Sequence, residues 1–94
     1  MKISEFQQLI KDIYFDKDNG RGLDATYMWF IEEVGELSRA LKRGTPQQQA
    51  EEFADVLAWL TTMASIQGID LEAVAKAKYA DGCPKCNATP CNCN

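Results

Sequence analysis

Histidine is missing altogether from these 94 residues. Its absence excludes serine or cysteine triads built on imidazole, His-ligated zinc hydrolases and the Glu-x-x-His helices of di-iron bundles. Carboxylates, lysines and cysteines are left to carry any chemistry. Also missing is an apolar run long enough to cross a bilayer, and Met1 to Lys11 lacks the basic-then-apolar order of a signal peptide. A cytoplasmic protein with no membrane partner is expected. Positive charge is in deficit, with Lys+Arg 10 against Asp+Glu 14, a net charge of -4 and a pI near 4.7. No general attraction to the phosphates of duplex nucleic acid follows from that balance. Length is short too: 10.5 kDa does not divide into two units that each bury their own core. A hydrophobic content of 46% with 26% charged residues marks the chain as globular rather than disordered.

Strand-like alternation and internal repeats are absent, whereas helical stripes recur. Phe6, Leu9, Ile10, Ile13 and Tyr14 define a first helix from Ser4 to Phe15. Asp16 to Gly22 has no apolar residue and two glycines and reads as a loop, after which Asp24 is a candidate cap. Met28, Phe30, Ile31, Val34, Leu37 and Leu41 mark a second helix from Asp24 to Lys42, with Arg39, Lys42 and Arg43 favourably placed at its C-terminal end before Gly44. Thr45-Pro46-Gln47-Gln48 has the form of a capping box with proline at the first helical position. The third helix follows, striped by Phe53, Val56, Leu57, Leu60, Met63 and Ala64 as far as Gln67, with Gly68 as its stop. Asp70 caps a short last helix to about Tyr79. The expected fold is an all-α helical hairpin bundle of about four helices. Trp29, Phe30, Trp59 and Leu60 are too large for this small bundle to cover, so a second subunit should complete it, as a homodimer or a tetramer. Residues 1–81 form this domain, and 82–94 form a short Cys-rich C-terminal loop of a different kind.

Glu32-Glu33-Val34-Gly35-Glu36 and Glu51-Glu52-Phe53-Ala54-Asp55 each place acids three positions apart on one helix face, where like charges repel. Both pairs border the apolar stripe. Glu36 precedes the Gly44-Thr45 turn by two helical turns and Glu52 follows it by two, so each lies roughly 11 to 12 Å from it at about 1.5 Å per residue. Glu33 and Asp55 face each other one turn further on. A solvated acidic face is the plain reading of such a charge run. Matched depth on two helices favours another, in which the four carboxylates share a hard divalent cation, Mg²⁺ suiting an all-oxygen, partly hydrated site.

Glu33-Val-Gly-Glu36-Leu, the Gly-Thr-Pro turn and Glu52-Phe-Ala-Asp55-Val-Leu together resemble the ExxE and ExxD motifs of the MazG-type, all-α nucleoside triphosphate pyrophosphohydrolases, over roughly Ile3 to Tyr79. The resemblance implies Mg²⁺-dependent hydrolysis of a nucleoside triphosphate substrate to monophosphate and pyrophosphate by an enzyme built from more than one subunit. Glu33, Glu36, Glu52 and Asp55 would then hold Mg²⁺, and Glu33 or the neighbouring Glu32 would take a proton from water. The resemblance also directs attention to Lys76 and Lys78 near the last helix end as phosphate or sugar contacts. Asp81 stands where the family has an amide or an arginine, and a solvated helix end is the other reading of these lysines. Trp29, one turn before Glu33, is placed either to stack on a base or to pack in the core. Lys17 and Arg21 are either phosphate contacts or part of a solvated loop.

Cys83-Pro-Lys-Cys86 and Cys91-Asn-Cys93 put four thiols in one terminal loop. In a reducing compartment this spacing favours a four-thiolate Zn²⁺ site over disulfides, the alternative being a disordered tail. A reading from another class stays open: a helical interaction module whose zinc-knuckle tail binds a protein or single-stranded nucleic acid without catalysis. Against the nucleic-acid form of it, Lys85 is the tail's only basic residue.

Overall fold

The turn Gly44-Thr45-Pro46 organises the molecule. Thr45 Oγ1 accepts from the Gln48 backbone N–H (3.2 Å) while Gln48 Oε1 accepts from the Thr45 N–H (2.9 Å), so the expected capping box closes in both directions. On either side run α2 (Leu23–Arg43) and α3 (Pro46–Ile66), packed as an antiparallel hairpin that is the main seam of the fold. In this computed structural model, which describes residues 1–94, the remaining elements are α1 (Ile3–Arg21), laid against α3, and α4 (Leu71–Tyr79), laid against α1. All regular structure is helical, and no helix is long and apolar enough to cross a membrane.

Gln7 ties the two ends of the bundle together. Its amide donates to Ser65 Oγ (3.1 Å) and Ile69 O (2.8 Å), and its Oε1 accepts from the Leu71 N–H (3.0 Å), so one side chain pins the α3–α4 connection to α1. Asp70 caps α4 as expected, accepting from the Ala73 N–H at 3.1 Å.

The reading of Asp16 to Gly22 as a loop is overturned. α1 runs through this polar stretch to Arg21 and breaks only at Gly22, whose φ of 81° is a left-handed value that glycine adopts without strain. The reason is tertiary. Asp18 is buried, its Oδ1 accepting from Arg21 Nη1 (2.9 Å) and its Oδ2 from Thr62 Oγ1 of α3 (3.2 Å), so an acid replaces the apolar residue that a stripe would have signalled. Asp24 is consequently not a cap. It lies in the first turn of α2, where Gly22 is the cap residue and Thr26 Oγ1 donates back to Gly22 O at 2.7 Å.

The buried positions are mostly small or polar: Ile10, Ala40 and Ala64 with Thr26, Thr61, Thr62 and Asp18. Many large residues of the expected stripes are instead exposed, Met28 at 72%, Phe53 at 55% and Leu41 at 52%. The surface area is 7025 Å², against about 5,400 Å² for a self-contained monomer of this mass. The radius of gyration is 15.6 Å, against about 12 Å for a compact chain of this length. One chain leaves its seam partly uncovered.

Candidate metal and nucleotide site

Glu33 and Glu36 come from adjacent turns of α2, and Glu52 comes from α3 opposite them. Carboxylate oxygens of these three lie within 4.8 Å of one another. Glu33 and Glu52 each hold an Oε2 atom that is shielded from solvent and has no hydrogen-bond partner. Burial raises the Glu33 carboxyl to about 7, with the charges of Glu36, Asp55 and Glu52 adding to it. Glu52 is raised in the same way, by desolvation and then by Glu36 and Asp55.

Orphaned, shielded acceptor oxygens beside like charges are costly unless a cation satisfies both deficits. An all-oxygen donor set of this size suits a hard divalent ion such as Mg²⁺, so these residues fit that group. Asp55 lies just outside the tight triplet, exposed, yet near enough for its charge to act on Glu33 and Glu52. Glu32 is exposed and apart from the triplet.

Two cavities open from the acids. Toward the hairpin turn, a space of about 460 Å³ is lined by Glu36, Glu52, Arg39 and Arg43, so guanidinium groups border the carboxylates on that side. Toward α1, a second cavity of about 280 Å³ is lined by Asp55, Lys17, Arg21, Asp18, Trp59 and Thr62. Lys17 and Arg21 thus reach the same space as Asp55, from a helix and not from the loop expected for them. Arg21 also lies over the Trp59 ring, 4.9 Å from its centroid. Trp59 in turn stacks on Trp29, with centroids 6.1 Å apart and ring planes at 14°. Trp29 is 48% exposed, so it is a surface ring supported from one side and not a core residue.

Trp59 was legible only as bulk. Its spacing to Asp55 and Glu52, one and two turns along α3, is the signal that places it on the acidic face. Lys76 and Lys78 are not brought to the acids: they are exposed on α4, which packs on α1, and Lys78 lies over Tyr79. The four cysteines form a second cluster in the tail. Backbone N–H groups of Cys86 and Lys85 lower the Cys83 thiol to about 6, and the Asn92 N–H lowers that of Cys86.

A family profile described as the MazG nucleotide pyrophosphohydrolase domain matches residues 21–87. That stretch is well over half the chain and carries both acid motifs, so the chain belongs to this family. No curated protein matches it.

Proposed function

We propose that the protein is a Mg²⁺-dependent pyrophosphohydrolase that cleaves a nucleoside or deoxynucleoside triphosphate between its α and β phosphates, releasing monophosphate and pyrophosphate as nucleotide-pool housekeeping in the cytoplasm. The observation that carries this reading is the Glu33, Glu36, Glu52 triplet with its two orphaned oxygens, in a chain of this family. Together with Asp55, these residues would hold Mg²⁺, which when bound offsets charge on the reacting phosphate oxygens and makes water more acidic. Water adds to phosphorus, the bond to the pyrophosphate oxygen breaks, and a carboxylate accepts the proton released. Of the two candidates for that proton, Glu33 belongs to the triplet, whereas Glu32 stands apart from the acids.

The cavity beside Asp55 supplies what a nucleotide needs besides an ion. Lys17 and Arg21 offer charge to phosphates, and the Trp29–Trp59 pair offers a ring face to a base. A second copy of the chain supplies the covering that one copy lacks, giving a homodimer or a tetramer. Lys76 and Lys78, remote from the acids of their own chain, would reach a phosphate only across such an interface.

The test is to incubate the purified protein and Mg²⁺ with a panel of nucleoside triphosphates and resolve the products. Monophosphate and pyrophosphate in equal amounts, abolished by EDTA, is the expected result. Orthophosphate alone, or no turnover across the panel, refutes the reading.

A further inference from the structure

Residues 82–94 lie beyond α4 and contain no helix or strand. Apart from its cysteines and prolines, Ala88 is this segment's only apolar residue, so no hydrophobic core holds it. It nevertheless closes on itself. The Cys83 N–H donates to Ala88 O (3.0 Å) and the Asn87 N–H to Cys83 O (2.6 Å), which folds Cys83-Pro84-Lys85-Cys86 into a tight knuckle ending at Asn87, a left-handed residue with φ of 55°. Gly82 enters the knuckle at φ 101°, and a Cβ there would fall 2.7 Å from Thr89 Oγ1 and 2.8 Å from the Ala88 carbonyl, so only glycine fits.

The knuckle draws the four thiols to one point. Cys83 Sγ lies 3.7 Å from Cys93 Sγ, Cys86 Sγ lies 3.9 Å from Cys91 Sγ, and all four sulfurs are within 4.8 Å of one another. A disulfide needs sulfurs at about 2.05 Å, and none is formed. A tetrahedron of thiolates around zinc at about 2.3 Å has edges of about 3.8 Å, which the Cys83–Cys93 and Cys86–Cys91 separations match. Backbone N–H groups supply the outer layer: that of Asn92 points at Cys86 Sγ and that of Cys93 at Cys91 Sγ, both at 3.3 Å. Such donors stabilise metal-bound thiolates.

We infer that Cys83, Cys86, Cys91 and Cys93 bind one Zn²⁺ ion in a closed, four-thiolate site that holds the C-terminal loop in place. The four ligands fill the tetrahedron, leaving no position for water or substrate, so the ion is structural. Binding releases the thiol protons and leaves a net charge of two minus on the centre, which the N–H donors and Lys85 offset. Soft thiolates take zinc and hard carboxylates take Mg²⁺, so the two clusters select different ions.

The test uses the full chain, purified under reducing conditions without added metal. Elemental analysis should find one zinc per chain, and thiol titration should find the four cysteines protected until a strong chelator is added. Cobalt added to the stripped protein should give the intense visible bands of a tetrahedral four-thiolate centre, displaced by one equivalent of zinc. Cys83→Ser and Cys93→Ser should each lose that spectrum, while Glu36→Gln keeps it. Four freely reactive thiols with no zinc in the reduced protein would overturn the inference. So would a weak octahedral cobalt spectrum that survives both cysteine substitutions and vanishes in Glu36→Gln. Both readouts on the unsubstituted chain are independent of whether a variant folds, and neither depends on turnover of nucleotides.

Discussion

Glu33 concentrates the electrostatics of the site in one side chain. Without a cation its carboxyl titrates at about 7 in the folded chain, against 4.5 ordinarily. Between those values the folded state holds a proton that the unfolded state has released, so this group's contribution to stability falls as pH rises through the window. The melting temperature in EDTA should accordingly be lower at pH 7.5 than at pH 5, and Mg²⁺ should recover more of it at the higher pH. A rise toward pH 7.5 in EDTA would contradict this. Glu36 is the charge that acts most on Glu33. Glu36→Gln should therefore raise the metal-free melting temperature at pH 7.5 while lowering turnover by roughly two orders of magnitude or more, the scale for losing one preorganised electrostatic group. Thermal melts with product analysis on the same preparation test both halves.

Among the elements, the last turn of α1 is held by a single buried acid. Asp18 joins Arg21 on its own helix to Thr62 on α3. Removing it strands both partners, so Asp18→Ala should cost about 1–3 kcal/mol, the penalty for leaving buried polar groups unsatisfied. Chemical denaturation measures this, and a loss well below that range would show that the turn is held otherwise. Thr45→Ala breaks a cap that closes in both directions and should cost about 1 kcal/mol. The two sites differ in legibility. The caps at Thr45 and Asp70 are local chemistry, complete within four residues, and both were readable in advance. The helix through Asp16 to Arg21 was not, because a partner 44 residues away stabilises it.

For the whole molecule, the uncovered surface is the dominant fact. Phe53, Leu57 and Leu60 form one exposed row on α3, and Tyr27, Ile31 and Val34 form one on α2. The excess over a self-contained monomer is about 1,600 Å² per chain by the mass scaling, enough for a stable interface of ordinary size. Light scattering at micromolar concentration should give at least twice the chain mass. Leu57→Glu should shift the protein toward monomer and lower its melting temperature, and an unsubstituted protein already monomeric would refute the assembly.

Periodicity, capping and equal distance from one turn are all counted along the chain, so four helices (though not the stretch of α1 from Asp16 to Arg21), the hairpin turn and the facing of Glu36 and Glu52 across it were legible. The cysteine cluster was equally legible, its ligands lying within 11 residues. Tertiary structure alone decided that Asp55 stands apart from the tight triplet, that Lys17 and Arg21 reach the acidic site from a helix, and that Trp59 backs Trp29 there. It also left Lys76 and Lys78 away from the acids. The place of Asp55 and the Trp pair depend on how α2 and α3 face each other, and the rest on how α1 lies against the hairpin and α4 against α1. That arrangement is set by buried groups such as Asp18, Thr62 and Gln7, whose partners are distant in sequence and whose polar side chains carry no periodic signal.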